Sequence, residues 1–279
     1  MSRLSHKCAL VTGGASGIGK AIAQRLKADG ANVAISDIQR DLGQATAEEF
    51  GFLFLEHDVC DEMGWTEVIG EVEDRNGHLD ILVNNAGIAG PMGATNPDNT
   101  SLSVWKMIFS INVEGVFLGC RAAIPAMRRA GGGSIVNISS IAGLLATPYN
   151  MAYGASKAAV TQMTKSVAQH CAQHRLNIRC NSVHPGDVHT ALWDKVADET
   201  ARQQGVAAQQ VIEAQGMNYP MGGLTLAEDV AAVVSFLASD EARRITAAKL
   251  VVDGGLVGCD TYHMVERNSL YSERSHRSV

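Results

Sequence analysis

Tyr153 and Lys157 are the residues whose types and spacing point most directly to chemistry. They stand four positions apart at the start of a segment with helical periodicity, so both side chains lie on one helix face. A free phenol has a pKa near 10, roughly three units above neutral pH, so a tyrosine base needs a neighbouring cation. The lysine ammonium can supply that charge, and the pair predicts a tyrosine that acts as a general base and acid. Without its surroundings, the same spacing would indicate a surface pair on a helix.

A glycine-rich loop, TGGASGIG at residues 12–19, follows the first predicted strand and precedes a helix. Unpaired N–H groups and the positive end of the helix dipole bind anions there, and glycines let a pyrophosphate approach the backbone. Asp37 ends the second predicted strand, where its carboxylate can accept from ribose hydroxyls and repel a 2′-phosphate. These features predict NAD rather than NADP as the cofactor, with nearby Arg40 as the opposing feature. The alternative for Asp37 is a cap of the strand end.

Short β-branched runs alternate with longer segments of helical period, which predicts a parallel sheet covered by helices on both faces. The predicted strands cover residues 8–12, 32–36, 52–56, 80–83, 134–138, 177–183 and 250–252. The predicted helices cover residues 18–30, 41–50, 65–72, 102–127 and 153–174. No repeat or linker interrupts this rhythm, so we predict one domain of the α/β class.

The segment at about 186–226 turns polar and rich in Gln and Ala, with a weak helical pattern over 198–215 and no strand signal. α/β enzymes place substrate-covering segments after the carboxyl end of a strand, so we predict a lid, with a plain surface excursion as the alternative. The cofactor-binding domain, lid included, is predicted at residues 1–259. Residues 260–279 are predicted to be a tail, disordered or packed on a partner subunit.

The composition and net charge of the chain indicate which classes of partner it can bind. Apolar residues make up 46% of the 279 positions and the net charge is −6, which favours a large buried core without a basic face for nucleic acid or anionic lipid. We find no uninterrupted apolar run near the roughly 20 residues that span a bilayer, and residues 1–7 are polar. We therefore expect small-molecule ligands, no nucleic acid, no membrane and a cytoplasmic location.

The cysteines and histidines predict neither a disulfide nor a metal site. Six cysteines show no CxxC pairing and mostly lie inside apolar runs, as reduced thiols do. His170 and His174 stand four apart and could share a helix face around a metal ion. No HExxH glutamate or second ligand pair accompanies them, so we expect a solvated helix end there.

Several further motifs follow in a fixed order: NNAG at residues 84–87, Ser140 before the YxxxK segment, and a Pro–Gly pair after the sixth strand. The pattern is completed by Asn112, Asn181, Pro185, Gly186 and Thr190. Over residues 4–259 the sequence resembles the short-chain dehydrogenase/reductase family. The resemblance implies a single Rossmann-like, doubly wound sheet of seven parallel strands. It also implies a nicotinamide cofactor and a homotetramer or homodimer built through the two long helices.

The same resemblance assigns roles to individual residues. Tyr153 would be the acid/base supported by Lys157, and Asn112 would hold a water that links the lysine to solvent. Ser140 would bind the substrate oxygen, and the family spacing selects it over adjacent Ser139. The residues expected at the cofactor are Gly13, Ser16, Gly17, Ile18, Gly19, Asp37, Asp58, Val59, Asn85, Ala86, Gly87, Tyr153, Lys157, Pro185, Gly186, Val188 and Thr190.

The residues expected at the substrate are Ser140, Leu144, Tyr153, Trp193 and Met217. The pocket candidates are mostly apolar and include no cation for an acid group, which favours a neutral, hydrophobic secondary alcohol or ketone. Within the family, the sequence is similar to bacterial hydroxysteroid and cyclic-alcohol dehydrogenases. It departs from a typical member at Asp187, after the Pro–Gly pair.

Two alternative functions stay open. A 3-oxoacyl-[acyl-carrier-protein] reductase could use Arg128 and Arg129 for its acidic partner, but that activity normally uses NADPH, which Asp37 opposes. A non-catalytic NAD-binding regulator commonly lacks the tyrosine or lysine of the YxxxK segment, and this chain keeps both.

Overall fold

A parallel β-sheet runs through the protein, as seen in a computed structural model that describes residues 2–91 and 95–259. Its strands, with one additional short pair, are β1 Cys8–Thr12, β2 Asn32–Asp37, β3 Leu53–Glu56, β4 Ile81–Asn84, β5 Gly133–Ile138, β6 Ile178–Pro185, β7 Val188–His189, β8 Thr225–Leu226 and β9 Lys249–Val252. The seven-stranded sheet has the order β3-β2-β1-β4-β5-β6-β9, and all its pairs are parallel. The predicted single, doubly wound α/β domain is confirmed. The predicted tail lies outside the described residues.

Helices cover both faces of the sheet. They are α1 Gly17–Ala28, α2 Arg40–Phe50, α3 Glu62–Asn76, α4 Leu102–Phe109, α5 Gly115–Arg129, α6 Met151–Gln173, α7 Ala191–Gln204, α8 Ala208–Gly216 and α9 Ala227–Ala238. The sequence reading missed α9, because the segment after Asp229 is apolar at nearly every position and no polar face marks a helical period. The weak pattern predicted over 198–215 belongs to α7 and α8.

The sheet separates two apolar cores because side chains alternate along each strand. On β1, Ala9 and Val11 join one core, in which α1 packs against α9. Leu10 points to the other core, which α3, α5 and α6 cover with residues such as Trp65 and Met127. All five residues of β1 are buried, as expected for a central parallel strand.

The predicted helix 102–127 is α4 and α5 joined by a widened π-helical turn at Ser110–Glu114. By length and composition alone this 28-residue helix could span a bilayer, although polar residues interrupt its apolar sequence. Its inner side, including Ile108, Val116 and Leu118, is buried in the domain. That packing is typical of the core helix of a globular protein.

The parallel strands bring five chain positions to one edge of the sheet. Strands β1, β2, β4, β5 and β6 end there at Thr12, Asp37, Asn84, Ile138 and Pro185. The predicted lid starts just beyond this edge, and its two ends pair through β7 and β8. This pair corrects the expectation of no strand in the segment, since two-residue strands leave no readable alternation. The edge therefore collects the loops that carry the predicted motifs.

Candidate active site

A cavity of about 720 Å³ opens at the carboxyl edge of the sheet. Every residue predicted to bind the cofactor lines it, together with Ser140 and Trp193. Leu144 and Met217, predicted at the substrate, are not among the lining residues. Leu145 and Ala146 line the cavity beside Leu144, and Met217 lies 40% exposed at the end of α8.

The glycine loop has a backbone shape that other residues would not keep. Gly13 and Gly17 have φ of +63° and +53°, and a Cβ on Gly19 would lie 2.1 Å from the Gly13 carbonyl oxygen. The Asn85 amide holds the loop by donating to the carbonyls of Thr12 at 2.9 Å and Gly13 at 3.1 Å. Neither an acidic side chain nor a side-chain cap occupies the first turn of α1. Its N–H groups are therefore placed where they could bind an anion, and a dinucleotide pyrophosphate would fit there.

Asp37 is buried at the end of β2 and places its carboxylate in the lining of the cavity. One oxygen accepts from the Ala15 N–H at 3.2 Å and the other from the Gln39 N–H at 3.0 Å. Arg40 is not a lining residue, since its guanidinium pairs with Glu56 at 3.6 Å on the surface. This corner of the cavity therefore carries a fixed negative charge.

The residues after β3 both shape and line the cavity. The Asp58 carboxylate accepts from the Cys60 N–H at 2.9 Å, and the Val59 carbonyl accepts from the Trp65 indole N–H at 2.9 Å. His57, which sequence reasoning did not select, also lines the cavity. Burial lowers the pKa of His57, and among the described residues its Nε2 has no hydrogen-bond partner.

Tyr153 and Lys157 face the cavity from the first turns of α6. The Lys157 Nζ lies 5.6 Å from the centre of the Tyr153 ring and donates to the Ile138 carbonyl at 2.9 Å. Burial lowers the pKa of Lys157 to about 8. Burial raises the pKa of Tyr153, a hydrogen bond from Ser140 lowers it, and the charge of Asp187 raises it. The three predicted groups are thus brought together, with the lysine held near the phenol.

Ser139 and Ser140 have different surroundings. The Ser139 hydroxyl bonds to helix α6: it donates to the Lys157 carbonyl at 2.8 Å and lies 3.2 Å from the Thr161 hydroxyl. The Ser140 hydroxyl accepts from the Ala142 N–H at 3.1 Å, lines the same cavity as Tyr153 and lowers the pKa of that phenol. The geometry therefore favours Ser140 as the partner of the tyrosine.

Asn112 lies in the π-helical turn and is fully buried. Its side chain accepts from the Ile88 N–H at 2.8 Å and donates to the Ile88 carbonyl at 2.9 Å and the Ser156 hydroxyl at 3.0 Å. A Cβ on Gly87 would lie 3.1 Å from the Asn112 amide oxygen and 3.3 Å from the Lys157 Nζ. Asn112 is therefore a neighbour of the lysine, with its side chain committed to the loop after β4.

Asp187 lines the cavity beyond the Pro–Gly pair and connects α8, in the segment predicted to be a lid, to the sheet edge. Its carboxylate accepts from the Gln215 amide of α8 at 2.7 Å, and its own N–H donates to the Tyr219 hydroxyl at 2.7 Å. Asp187, at which the sequence departs from a typical family member, therefore forms contacts with Gln215 and Tyr219.

Ligand-type side chains also occur away from the cavity. His170 and His174 have ring centres 4.5 Å apart near the end of α6. Cys8, His78 and Asp80 bring possible metal-binding atoms within 4.8 Å of one another at the opposite sheet edge. The Asp80 carboxylate already accepts from the Lys7 ammonium and the Cys8 N–H, and it lies 2.9 Å from the His78 Nε2. This cluster therefore works as a tie between the starts of β1 and β4.

The chain is similar to a reductase family model and to several dehydrogenases. A family model described as "Enoyl-(Acyl carrier protein) reductase" matches residues 13–257. The chain is 39% identical to the NADP-dependent (R)-specific alcohol dehydrogenase of Lentilactobacillus kefiri, covering 91% of this chain and 97% of the relative. It is 38% identical to the 3-beta-hydroxysteroid dehydrogenase of Comamonas testosteroni, covering 92% and 98%. The ligand-free aldohexose dehydrogenase of Thermoplasma acidophilum superimposes with a TM-score of 0.83 at 35% identity, covering 93% and 97%.

Proposed function

The chain belongs to the short-chain dehydrogenase/reductase family, and from this premise we propose that it interconverts a neutral, hydrophobic secondary alcohol and its ketone with NAD. As a family member it is an oxidoreductase that uses a nicotinamide cofactor. The observation that carries the proposal is that Tyr153, Ser140 and Lys157 line the same cavity as the glycine loop and Asp37. An alcohol next to the phenol would therefore also lie next to a bound dinucleotide.

The chain's own residues supply the proton chemistry. Tyr153 removes the alcohol proton in oxidation and returns it to the carbonyl oxygen in reduction. Ser140 donates a hydrogen bond to that oxygen and stabilises its developing charge. When bound, the nicotinamide supplies the hydride acceptor and a positive charge that, with Lys157, favours the phenolate. This charge is needed because burial alone raises the pKa of Tyr153.

The preference for NAD rests on the electrostatics of one corner of the cavity. The Asp37 carboxylate is available to the ribose hydroxyls and repels a 2′-phosphate, while Arg40 is engaged by Glu56. The relative from Lentilactobacillus kefiri is named as NADP-dependent. The two proteins are therefore a useful pair for testing which residues set the choice.

The substrate class follows from the lining near Tyr153. Leu145, Ala146 and Trp193 offer apolar surface, and Lys157 is the single cation among the lining residues. A carboxylate or phosphate on the substrate would meet the negative charge of Asp187 rather than a partner. Neutral cyclic or aryl alcohols, including hydroxysteroids, fit these conditions. We further propose that residues 186–226 act as the lid over this substrate.

The first experiment is an absorbance assay of reduced nicotinamide with NAD or NADP and a panel of steroid, cyclic, aryl and short linear secondary alcohols. Turnover with NAD on the bulky neutral alcohols is expected, and Tyr153→Phe should lose turnover while keeping NAD binding. Dependence on NADP would contradict the argument from Asp37. Binding of NAD without turnover on any alcohol would favour the regulator.

The family-model description keeps an acyl-carrier-protein substrate as the second candidate. Its acidic partner would need the Arg128 and Arg129 patch, but Arg129 already forms a two-point pair with Glu73, at 2.6 and 3.2 Å. An assay with a 3-oxoacyl thioester and NADPH tests this activity directly, and no turnover is expected.

We also propose a cytoplasmic homotetramer or homodimer formed through the helices at 102–129 and α6. Apolar side chains remain exposed on the first of these helices, with Leu102 at 67%, Met107 at 43% and Phe117 at 47%. A second copy of the chain would cover them. Light scattering of the purified protein checks the oligomeric state, and a monomer would contradict the proposal.

A further inference from the structure

His184 is a fully buried histidine on β6 that makes two side-chain hydrogen bonds. Its Nδ1 lies 3.1 Å from the carbonyl oxygen of Ser140, and its Nε2 lies 2.9 Å from the hydroxyl of Ser182. It does not line the cavity. The ring therefore bridges the interior of β6 to the loop that carries the proposed hydrogen-bond donor of the active site.

The direction of these bonds follows from chemistry. A carbonyl oxygen only accepts, so the proton of the neutral ring lies on Nδ1, and Nε2 accepts from the Ser182 hydroxyl. Burial lowers the pKa of His184 to about 4; the Ser140 carbonyl acts in the opposite direction, and the charges of Lys249 and Lys157 reinforce the lowering. The ring thus stays neutral at the pH values where dehydrogenases work, and it donates to Ser140 throughout.

The Ser140 peptide is held at its carbonyl from two sides, by His184 and by the Gly143 N–H at 3.1 Å. Ser140 itself is extended, with φ −166° and ψ 159°, and caps the short helical turn Ile141–Gly143. Its side chain lines the same cavity as Tyr153 and lowers the pKa of that phenol. The position of this hydroxyl therefore depends on a peptide whose orientation the histidine helps to fix.

We propose that His184 is a positioning residue, which holds the Ser140 peptide so that the Ser140 hydroxyl stays within hydrogen-bond reach of Tyr153. The proposal rests on the proposed function for its catalytic consequence, but its geometric part concerns the chain alone. Ser182 extends the same chain of contacts by fixing the histidine tautomer. The full path runs from Ser182 through His184 and Ser140 to Tyr153.

His184→Leu removes the donor while keeping a side chain of similar bulk, and His184→Asn keeps an N–H close to the position of Nδ1. With NAD saturating, we expect His184→Leu to lower kcat by about tenfold or more, because the Ser140 donor is misplaced. The KM for NAD should stay within about twofold, and His184→Asn should recover most of kcat. The pH midpoint of kcat/KM for the alcohol should rise in His184→Leu, because this profile reports the protein before the alcohol binds, when the Ser140 hydroxyl lowers the pKa of Tyr153.

A double-mutant cycle separates positioning from a general structural loss. In a Ser140→Ala background, His184→Leu should produce no further rise in the pH midpoint. An equal fall of kcat in both backgrounds, or an unmoved pH midpoint in His184→Leu, would overturn the proposal. Urea unfolding of both His184 variants reports any general loss of stability.

A readout without turnover keeps this result distinct from the proposed function. Titration of 13C-labelled tyrosine, with Tyr153→Phe identifying the signal, follows the Tyr153 phenol directly in the wild type and in His184→Leu. A higher titration midpoint in His184→Leu supports the proposal even if no alcohol is oxidised. An unchanged midpoint overturns it even if the enzyme is active.

Discussion

Replacing Lys157 with methionine should make the protein more stable at neutral pH while removing its activity. The Lys157 ammonium is buried, and burial lowers its pKa from 10.5 to about 8. At 1.36 kcal/mol per pKa unit, this shift corresponds to about 3 kcal/mol of folding free energy spent on keeping the charge inside. Against this stands the charged hydrogen bond from Nζ to the Ile138 carbonyl, whose loss costs about 1.5–3 kcal/mol. We expect a net gain of up to about 1.5 kcal/mol in the free energy of unfolding at pH 7.

The destabilising effect of the buried Lys157 charge depends on pH. Between pH 8 and 10.5 the unfolded chain binds more protons at this residue than the folded chain, so its contribution to the free energy of unfolding rises with pH. The penalty is complete below pH 8 and absent above 10.5. The advantage of Lys157→Met should therefore shrink as the pH rises through this window.

Urea unfolding at pH 7, 8, 9 and 10 measures both quantities. Lys165→Met is the matched control, because Lys165 lies on the same helix and is exposed, and its replacement should change the free energy of unfolding little at any of these pH values. A Lys157→Met protein less stable than the wild type at pH 7 would refute the reasoning. So would a difference between the two proteins that does not change with pH.

Three further outcomes follow from the same geometry. Asp37→Asn removes the negative charge at the corner of the cavity proposed to hold the ribose. It should shift the NAD to NADP preference in kcat/KM towards NADP by about tenfold, because the carboxylate would repel a nearby 2′-phosphate and the amide would not. Gly19→Ala should abolish dinucleotide binding in a titration followed by protein fluorescence, because its Cβ would lie 2.1 Å from the Gly13 carbonyl oxygen. Asp187→Asn should move the pH midpoint of alcohol oxidation to lower pH, because the charge of Asp187 raises the pKa of Tyr153; an alkaline shift would contradict this.

Much of the site could be predicted because its parts are local. The glycine loop, Asp37 and the YxxxK segment are each readable within a few residues, and the parallel sheet brings them to one edge. NAD specificity and the roles of single residues stay predictions.

The features that escaped prediction depend on contacts between distant parts of the chain. Helix α9 was missed because it is apolar on nearly all sides, and the β7–β8 pair because it is two residues long. The hydrogen bond from His184 to Ser140 joins residues 44 positions apart, so no local sequence pattern could predict it. Met217 was expected at the pocket, but the turn of the chain at the end of α8 leaves it at the surface.

The widened turn at Ser110–Glu114 holds one residue more than a regular helical turn. Deleting one residue here would restore a regular helix and leave the segments on either side in register, so Val116, Leu118 and Ala123 should keep their places in the core. Asn112 lies in the turn itself and would lose its place beside Lys157. The extra residue therefore serves the site rather than the fold, whereas a deletion elsewhere in the helix would rotate everything after it by about 100°. Surface loops of the same chain can change length at much smaller cost.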